Sequence, residues 1–183
     1  MQLKNYPFDK LPFSELFRSY INDFSELQEF YTANPFNEEA LHELASNICK
    51  SDDREATIEL LKKFNNRFDL HQAALDNIER LGDKRSLALV TGQQLGIFGG
   101  PLYTVFKTVT TIHLSAVLEK SLDRPVVPIF WLADEDHDYD EVKKVHLLDG
   151  DELLTYSLDH EQSSNPPVAD ITLMVYLKSF AKI

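Results

Sequence analysis

A glycine-rich segment between two apolar stretches constrains the fold of this chain most. Four of its six glycines fall within nine residues, Gly92 to Gly100. The apolar run 87–91 precedes them, and apolar residues then recur at helical spacing from Leu102 to about Lys120. A second run, 126–133, follows and is rich in β-branched and aromatic residues. We therefore predict one βαβ unit with parallel strands and a right-handed crossover.

The preceding part of the chain has a different pattern. Apolar residues recur at helical spacing from about Pro12 to Leu81, and Asn37 followed by two glutamates predicts a helix start. We predict an N-terminal helical segment over residues 1–85. Residues 86–183 are then the first part of a parallel α/β core. The core is incomplete, because one βαβ unit is too small for a doubly wound sheet, and after Val142 only residues 152–158 resemble another strand.

The composition excludes several classes of protein. Lys and Arg number 18 against 30 Asp and Glu, a net charge of −12, which argues against a broad nucleic-acid or membrane-surface footprint. A single cysteine cannot build a disulfide framework or a thiolate zinc site, and it fits a reducing compartment. The apolar runs are too short to span a bilayer, and the first residues lack a signal-peptide pattern. We expect a cytoplasmic protein.

Half of the net charge lies in residues 134–141, which read Asp-Glu-Asp-His-Asp-Tyr-Asp-Glu. This acidic run begins where the second predicted strand ends. Ligands of open α/β sheets bind outside the carboxyl ends of the strands. Since the glycine-rich segment also leaves the end of a strand, we expect the two segments to share one crevice.

The acidic run has several chemical interpretations. It offers oxygen ligands for Mg²⁺ or Ca²⁺, a general acid–base pair through His137 and a neighbouring carboxylate, or a site for a substrate ammonium group. A solvated acidic loop is the fourth interpretation. A single local histidine disfavours zinc, and we assign no metal ligand.

The glycine-rich segment matches neither the dinucleotide-binding fingerprint nor the P-loop. Backbone N–H groups and the positive end of the following helix would nevertheless suit an anion. Lys107 lies about two turns into that helix, where its side chain can reach back to the turn. A tight strand-to-helix connection without a ligand is the alternative.

Two motifs resemble a known family. The first is Thr91-Gly-Gln-Gln-x-Gly-x-Phe-x-Gly-Pro-x-Tyr-x-x-x-Lys107, and the second is Pro125-Val-Val-Pro-x-Phe-Trp-x-Ala-x-Glu-Asp-His-Asp138. In this order and at this distance they resemble the cysteine ligases of bacillithiol biosynthesis. The resemblance covers about residues 10–150, and the likeness weakens after Pro167.

The resemblance implies more than the spacing shows. It implies an enzyme that joins cysteine, through an amide, to the amino group of glucosaminyl-malate. It also implies a Rossmann-like nucleotidyltransferase core with helical insertions and a coiled-coil arm that pairs subunits into homodimers. Members of the family are much longer than this chain, so those insertions and the arm are missing here. The cofactor stays open between ATP or ADP and Mg²⁺. The alternatives are a nucleotide- or Mg²⁺-dependent transferase acting on another substrate, and a ligand-binding fragment without turnover.

The two motifs supply the candidate site residues. The candidate catalytic residues are Glu135, Asp136, His137 and Asp138. The candidate substrate- or nucleotide-binding residues are Thr91, Gly92, Gln93, Gln94, Gly96, Gly99, Gly100, Tyr103, Lys107 and Trp131. Trp131 is expected to be buried, because it stands near the end of an apolar strand.

Overall fold

The structure is a computed structural model that describes residues 7–48, 54–96, 99–135 and 139–157. The chain divides into two compact units, Met1–Asp52 and Asp53–Ile183. The described part contains both helices and strands, so the predicted α/β class is confirmed. None of the described helices is long and apolar enough to cross a membrane.

The first unit is helical. Its elements are a 3-10 helix at Phe8–Lys10, α1 at Glu15–Asn22, a 3-10 helix at Phe24–Phe30 and α2 at Glu38–Asn47. The Asn37 side chain accepts a hydrogen bond from the Ala40 N–H at 3.1 Å, which confirms the predicted helix start. The helical spacing that begins near Pro12 does not correspond to one continuous helix at first, because α1 ends before Asp23 and the chain continues as a 3-10 helix.

The second unit contains the predicted βαβ unit. Its elements are α3 (Arg54–Asn65), α4 (Gln72–Arg80), β1 (Leu87–Gln94), α5 (Leu102–Leu122), β2 (Val126–Ala133), α6 (Tyr139–Val142), β3 (Lys144–Asp149) and β4 (Glu152–Ser157). Strands β1 and β2 are parallel, in a register that runs from Leu87 opposite Val126 to Gln94 opposite Ala133. The parallel strands joined by a helix are therefore confirmed.

Helices α3 and α4 belong to the same compact unit as the strands. The change of sequence pattern near residue 86 therefore lies inside this unit. The Arg54 guanidinium at the start of α3 donates to the carbonyls of Leu81 and Ser86, at 2.9 and 3.1 Å. Arg80 of α4 forms an ion pair with Glu119 of α5. These contacts tie α3 and α4 to the segments that enter β1 and precede β2.

Strands β3 and β4 form an antiparallel hairpin, with Lys144 opposite Ser157 and Asp149 opposite Glu152. The sequence predicted β4 but not β3. Gly150 in the two-residue loop has a φ of +60°, a conformation that favours glycine. The hairpin thus adds a second sheet beside the two-stranded parallel one.

Candidate functional site

The two parallel strands end side by side, as predicted. Gln94, the last residue of β1, lies opposite Ala133, the last residue of β2. The Leu95 N–H donates to the Ala133 carbonyl at 3.3 Å and extends the ladder by one hydrogen bond. The glycine-rich turn and the acidic run therefore leave the same edge of the sheet, where open α/β folds bind ligands.

The glycine-rich turn requires glycine for two different reasons. Gly99 and Gly100 have φ values of +90° and +79°, which side-chain-bearing residues rarely adopt. Gly96 is required by space, because a Cβ atom built there would lie 2.6 Å from the Gly100 Cα. The turn is thus closed by backbone packed against backbone. Ile97 and Phe98 lie outside the described residues.

Lys107 reaches back from α5 to the end of β1, which confirms the predicted reach. Its Nζ donates to the Gly92 carbonyl at 3.2 Å and to Gln93 Oε1 at 2.9 Å. Gln93 Nε2 in turn donates to Tyr103 Oη at 3.1 Å. Lys107 Nζ also lies 5.1 Å from the centroid of the Tyr103 ring. We call Gly92, Gln93, Tyr103 and Lys107 the strand-end network.

The strand-end network joins four predicted site residues and is accessible from solvent. The Tyr103 and Lys107 side chains are exposed, whereas Gln93 is half-buried between them. Its single cation and its N–H and O–H donors give this corner a preference for anionic or acceptor groups. Residues of the predicted motif thus lie together in space, and they come from the end of β1 and the first two turns of α5.

One polar group beneath the turn was not singled out from the sequence. Thr104 Oγ1 is buried and has no hydrogen-bond partner within the described ranges. A Cβ atom at Gly100 would lie 3.1 Å from it. Thr104 and Thr108 are both hydroxyl residues of α5, and nothing in the sequence alone distinguishes the orphan hydroxyl from the one that bonds to the helix backbone.

The prediction that Trp131 is buried is wrong, because its side chain is 62% exposed. The preceding residue, Phe130, lines a cavity of about 480 Å³ together with residues of α3, α4 and α5, and Trp131 is not among the residues that line it. A Cβ atom at Gly92 would lie 2.9 Å from the Trp131 carbonyl oxygen, so the two strands approach closely at this level.

Thr91 faces the same cavity as Phe130. Alternation along β1 places its side chain on the same face of the strand as that of Gln93. Gln94 ends β1 and is half-buried. Of the predicted binding residues near the end of β1, Gly92 and Gln93 belong to the network.

The acidic run is described in part. Asp134 and Glu135 follow β2 and are exposed, whereas Asp136, His137 and Asp138 lie outside the described residues. The run continues into α6, where Asp140 forms an ion pair with Lys143. The hydrogen bond and the positive charge of Lys143 lower the pKa of the Asp140 carboxyl. The catalytic roles of the four candidates stay predictions.

Metal ligation has no support in the described ranges 7–48, 54–96, 99–135 and 139–157. No three His, Cys, Asp or Glu side chains come together there in a group that could hold a metal ion.

Comparisons with known proteins place the chain in a family. The model of the family described as "Bacillithiol biosynthesis BshC, N-terminal Rossmann-like domain" matches residues 1–182. A protein of Salinibacter ruber named "Putative cysteine ligase BshC" is 38% identical over 155 residues, which cover 84% of this chain and 28% of the relative. A Geobacillus kaustophilus protein of the same name is 39% identical over 121 residues, or 66% of this chain and 22% of the relative.

A third relative matches a shorter part of this chain at a higher sequence identity. The protein of the same name from Heliobacterium modesticaldum is 47% identical over 85 residues, or 46% of this chain and 16% of the relative. The chain therefore spans less than a third of the length of these curated relatives. Since the family model matches nearly every residue, this chain belongs to the BshC family of bacillithiol biosynthesis and corresponds to its N-terminal Rossmann-like domain.

Proposed function

We propose that this chain is the N-terminal, substrate-binding part of a ligase that joins cysteine to the amino group of glucosaminyl-malate through an amide bond. The observation that carries the proposal is the strand-end network. Lys107, Gln93 and Tyr103 belong to the motif that resembles the family, and their hydrogen bonds gather them at the carboxyl edge of the parallel strands. This edge is the ligand-binding position of open α/β folds.

The chemistry of the two segments suits the two ends of such a substrate pair. The cationic network offers donors to a malate carboxylate or to a phosphate group. The acidic run, from Glu135 to Asp138, offers carboxylates to the ammonium group of cysteine or of the amino sugar. Condensation of a carboxylate with an amine releases water and requires an activated carboxyl group. ATP with Mg²⁺ is therefore the co-reactant that the test supplies.

The whole reaction is a proposal for the longer protein as well. The curated relatives are more than three times as long as the matched segments, so further residues are expected to complete the site. We propose a cytoplasmic enzyme whose full-length form is a homodimer and which acts on small molecules rather than on nucleic acids or membranes.

The test is a reaction of glucosaminyl-malate with cysteine, with and without ATP and Mg²⁺, followed by mass spectrometry. Two proteins are assayed, namely this chain and a chimera in which its residues 1–157 replace the matching segment of the Salinibacter ruber relative. The expected result is a thiol product of the amide mass from the chimera. Glu135→Gln and His137→Ala are expected to reduce its formation, and full activity in both variants would contradict the proposed role of the acidic run.

A ligand-binding role without turnover is the second candidate, and the strand-end network favours it, because residues of this chain alone form that network. Its signature is an isolated chain that binds glucosaminyl-malate in calorimetry while only the chimera forms product. A chimera that neither binds nor converts glucosaminyl-malate would contradict both the ligase reaction and the ligand-binding role.

A further inference from the structure

We infer that Gln93 is a positioning residue that fixes the Tyr103 hydroxyl as an outward hydrogen-bond donor, so that the strand-end network selects an acceptor-only group, a carboxylate or a phosphate. The inference rests on the proposed function for the identity of the substrate. The chemistry of binding is independent of the proposed function, because it follows from the direction of three hydrogen bonds.

The direction of the network begins at Lys107. An ammonium group has only donors, so the oxygen of the Gln93 amide must face it, as it does at 2.9 Å. This contact fixes the orientation of the amide. Its nitrogen, which has only donors, then faces Tyr103 Oη at 3.1 Å. The Tyr103 oxygen is therefore an acceptor within the network, and its own proton is directed to another partner.

Within the described ranges, Lys107 also has one N–H group without a hydrogen-bond partner. Two of its three N–H groups are used by the Gly92 carbonyl and by Gln93 Oε1. Tyr103 is 43% exposed and Lys107 is also exposed, so both remaining donors are accessible to a ligand. Among the groups that accept two hydrogen bonds, a carboxylate or a phosphate also gains from the positive charge of Lys107, whereas an ammonium group would meet a like charge.

The first experiment separates this selection from a purely structural tie between α5 and β1. The chain is titrated by NMR or calorimetry with malate, with inorganic phosphate and with the uncharged diamide of malic acid. Both anions are expected to bind more tightly than the diamide. Whichever of malate and phosphate binds more tightly shows whether the network prefers a carboxylate or a phosphate. Equal binding of the diamide would overturn the inference.

Tyr103→Phe removes the outward donor and keeps the ring. It is expected to weaken the preferred anion about tenfold, since a hydrogen bond to a charged acceptor is lost. Tyr156→Phe on the β3–β4 hairpin is the matched control and is expected to leave the affinity unchanged. A Tyr103→Phe variant with unaltered anion affinity would refute the assignment, whereas a change in urea stability alone would show a structural tie.

Gln93→Glu tests the direction of the relay. A carboxylate at this position accepts from both Lys107 and Tyr103, so it consumes the tyrosine proton and adds a negative charge. The affinity is expected to fall about a hundredfold. Asn66→Asp, with the same change of charge on the exposed side of the chain after α3, is expected to have little effect.

A double-mutant cycle then gives the decisive number. If Gln93 sets the direction, Tyr103→Phe costs little in the Gln93→Glu background, because the proton is already used there. Losses that add in the double variant would refute the relay. The outcome is separable from the proposed ligase. If anion binding depends on Tyr103 but no thiol product forms, the assignment of the network is supported and the proposed ligase reaction is contradicted. If product forms and Tyr103→Phe leaves the anion affinity unchanged, the ligase reaction is supported and the assignment of the network is contradicted.

Discussion

Gly96→Ala tests the closed shape of the glycine-rich turn. The added Cβ would stand 2.6 Å from the Gly100 Cα, well inside van der Waals contact. The opposing atom belongs to the backbone, so no side-chain rotation relieves the overlap. Overpacking costs typically 1–3 kcal/mol, and we expect the upper part of that range, about 2–3 kcal/mol of unfolding free energy. In urea this corresponds to a midpoint lowered by about 1–2 M at an unchanged slope.

Two other glycines isolate the physical cause. Gly99 and Gly150 have positive φ values but open space around the position of a Cβ. Gly99→Ala and Gly150→Ala therefore carry only backbone strain, about 1–2 kcal/mol. Gly96 shows the reverse combination, a steric conflict without a positive φ. A Gly96→Ala variant that is as stable as the unsubstituted chain in urea, or that costs less than both strained variants, would refute the close approach of the two backbones.

Three further substitutions test the framework, each by urea unfolding. Glu119→Gln should cost about 1 kcal/mol, since the carboxylate is 40% exposed and accepts from the Val126 N–H at 3.1 Å. That hydrogen bond lowers the pKa of Glu119 from its ordinary value of 4.5. The stabilisation by the Glu119 carboxylate is therefore present above pH 4.5 and is lost as the pH falls through the lowered pKa. The Glu119→Gln variant should lose this acid dependence. Arg54→Met should cost about 2–3 kcal/mol, because it leaves the fully buried Ser86 and its carbonyl without their donors. Asp123→Gly should stabilise by about 0.5 kcal/mol, because Asp123 ends α5 with a φ of +50°; a destabilised variant would contradict this.

The elements of the βαβ unit could be predicted because their patterns are strong. Both parallel strands contain a continuous apolar run. Helix α5 has 21 residues of helical spacing between the glycine-rich turn and Asp123. Strand β3 was missed because Lys144–Asp149 has only three apolar residues, which His146 interrupts and charged ends flank. The Gly150-Asp151 pair was the available signal, since Gly followed by Asp is typical of two-residue hairpin loops.

The site could be predicted as a set of residues but not as a set of bonds. The reach of Lys107 follows from helix geometry, which needs only a position two turns from the helix start. The contact between Gln93 and Tyr103 depends on how α5 is rotated above β1, and no local pattern encodes that rotation. Trp131 was misplaced for a similar reason, because the face to which a strand residue points depends on which face the neighbouring helix covers.

Helix α5 shows how little its hydrophobic spacing says about which side is buried. Its large apolar residues recur at helical spacing, yet Phe106 and Val109 are 63% and 58% exposed. The buried residues are Thr111 and Ser115, whose hydroxyls donate to carbonyls one turn earlier and are thereby satisfied. Small side chains let the helix backbone lie close to the strands.

That close approach has a consequence for the site. A helix held near the sheet by small residues brings Tyr103 and Lys107 within reach of the end of β1, which bulky side chains in the interface would prevent. The side of the same helix that carries Phe106 and Val109 is exposed. The two sides of α5 therefore differ in their relation to the site. The inner side sets the geometry of the strand-end network, and the outer side has no part in it.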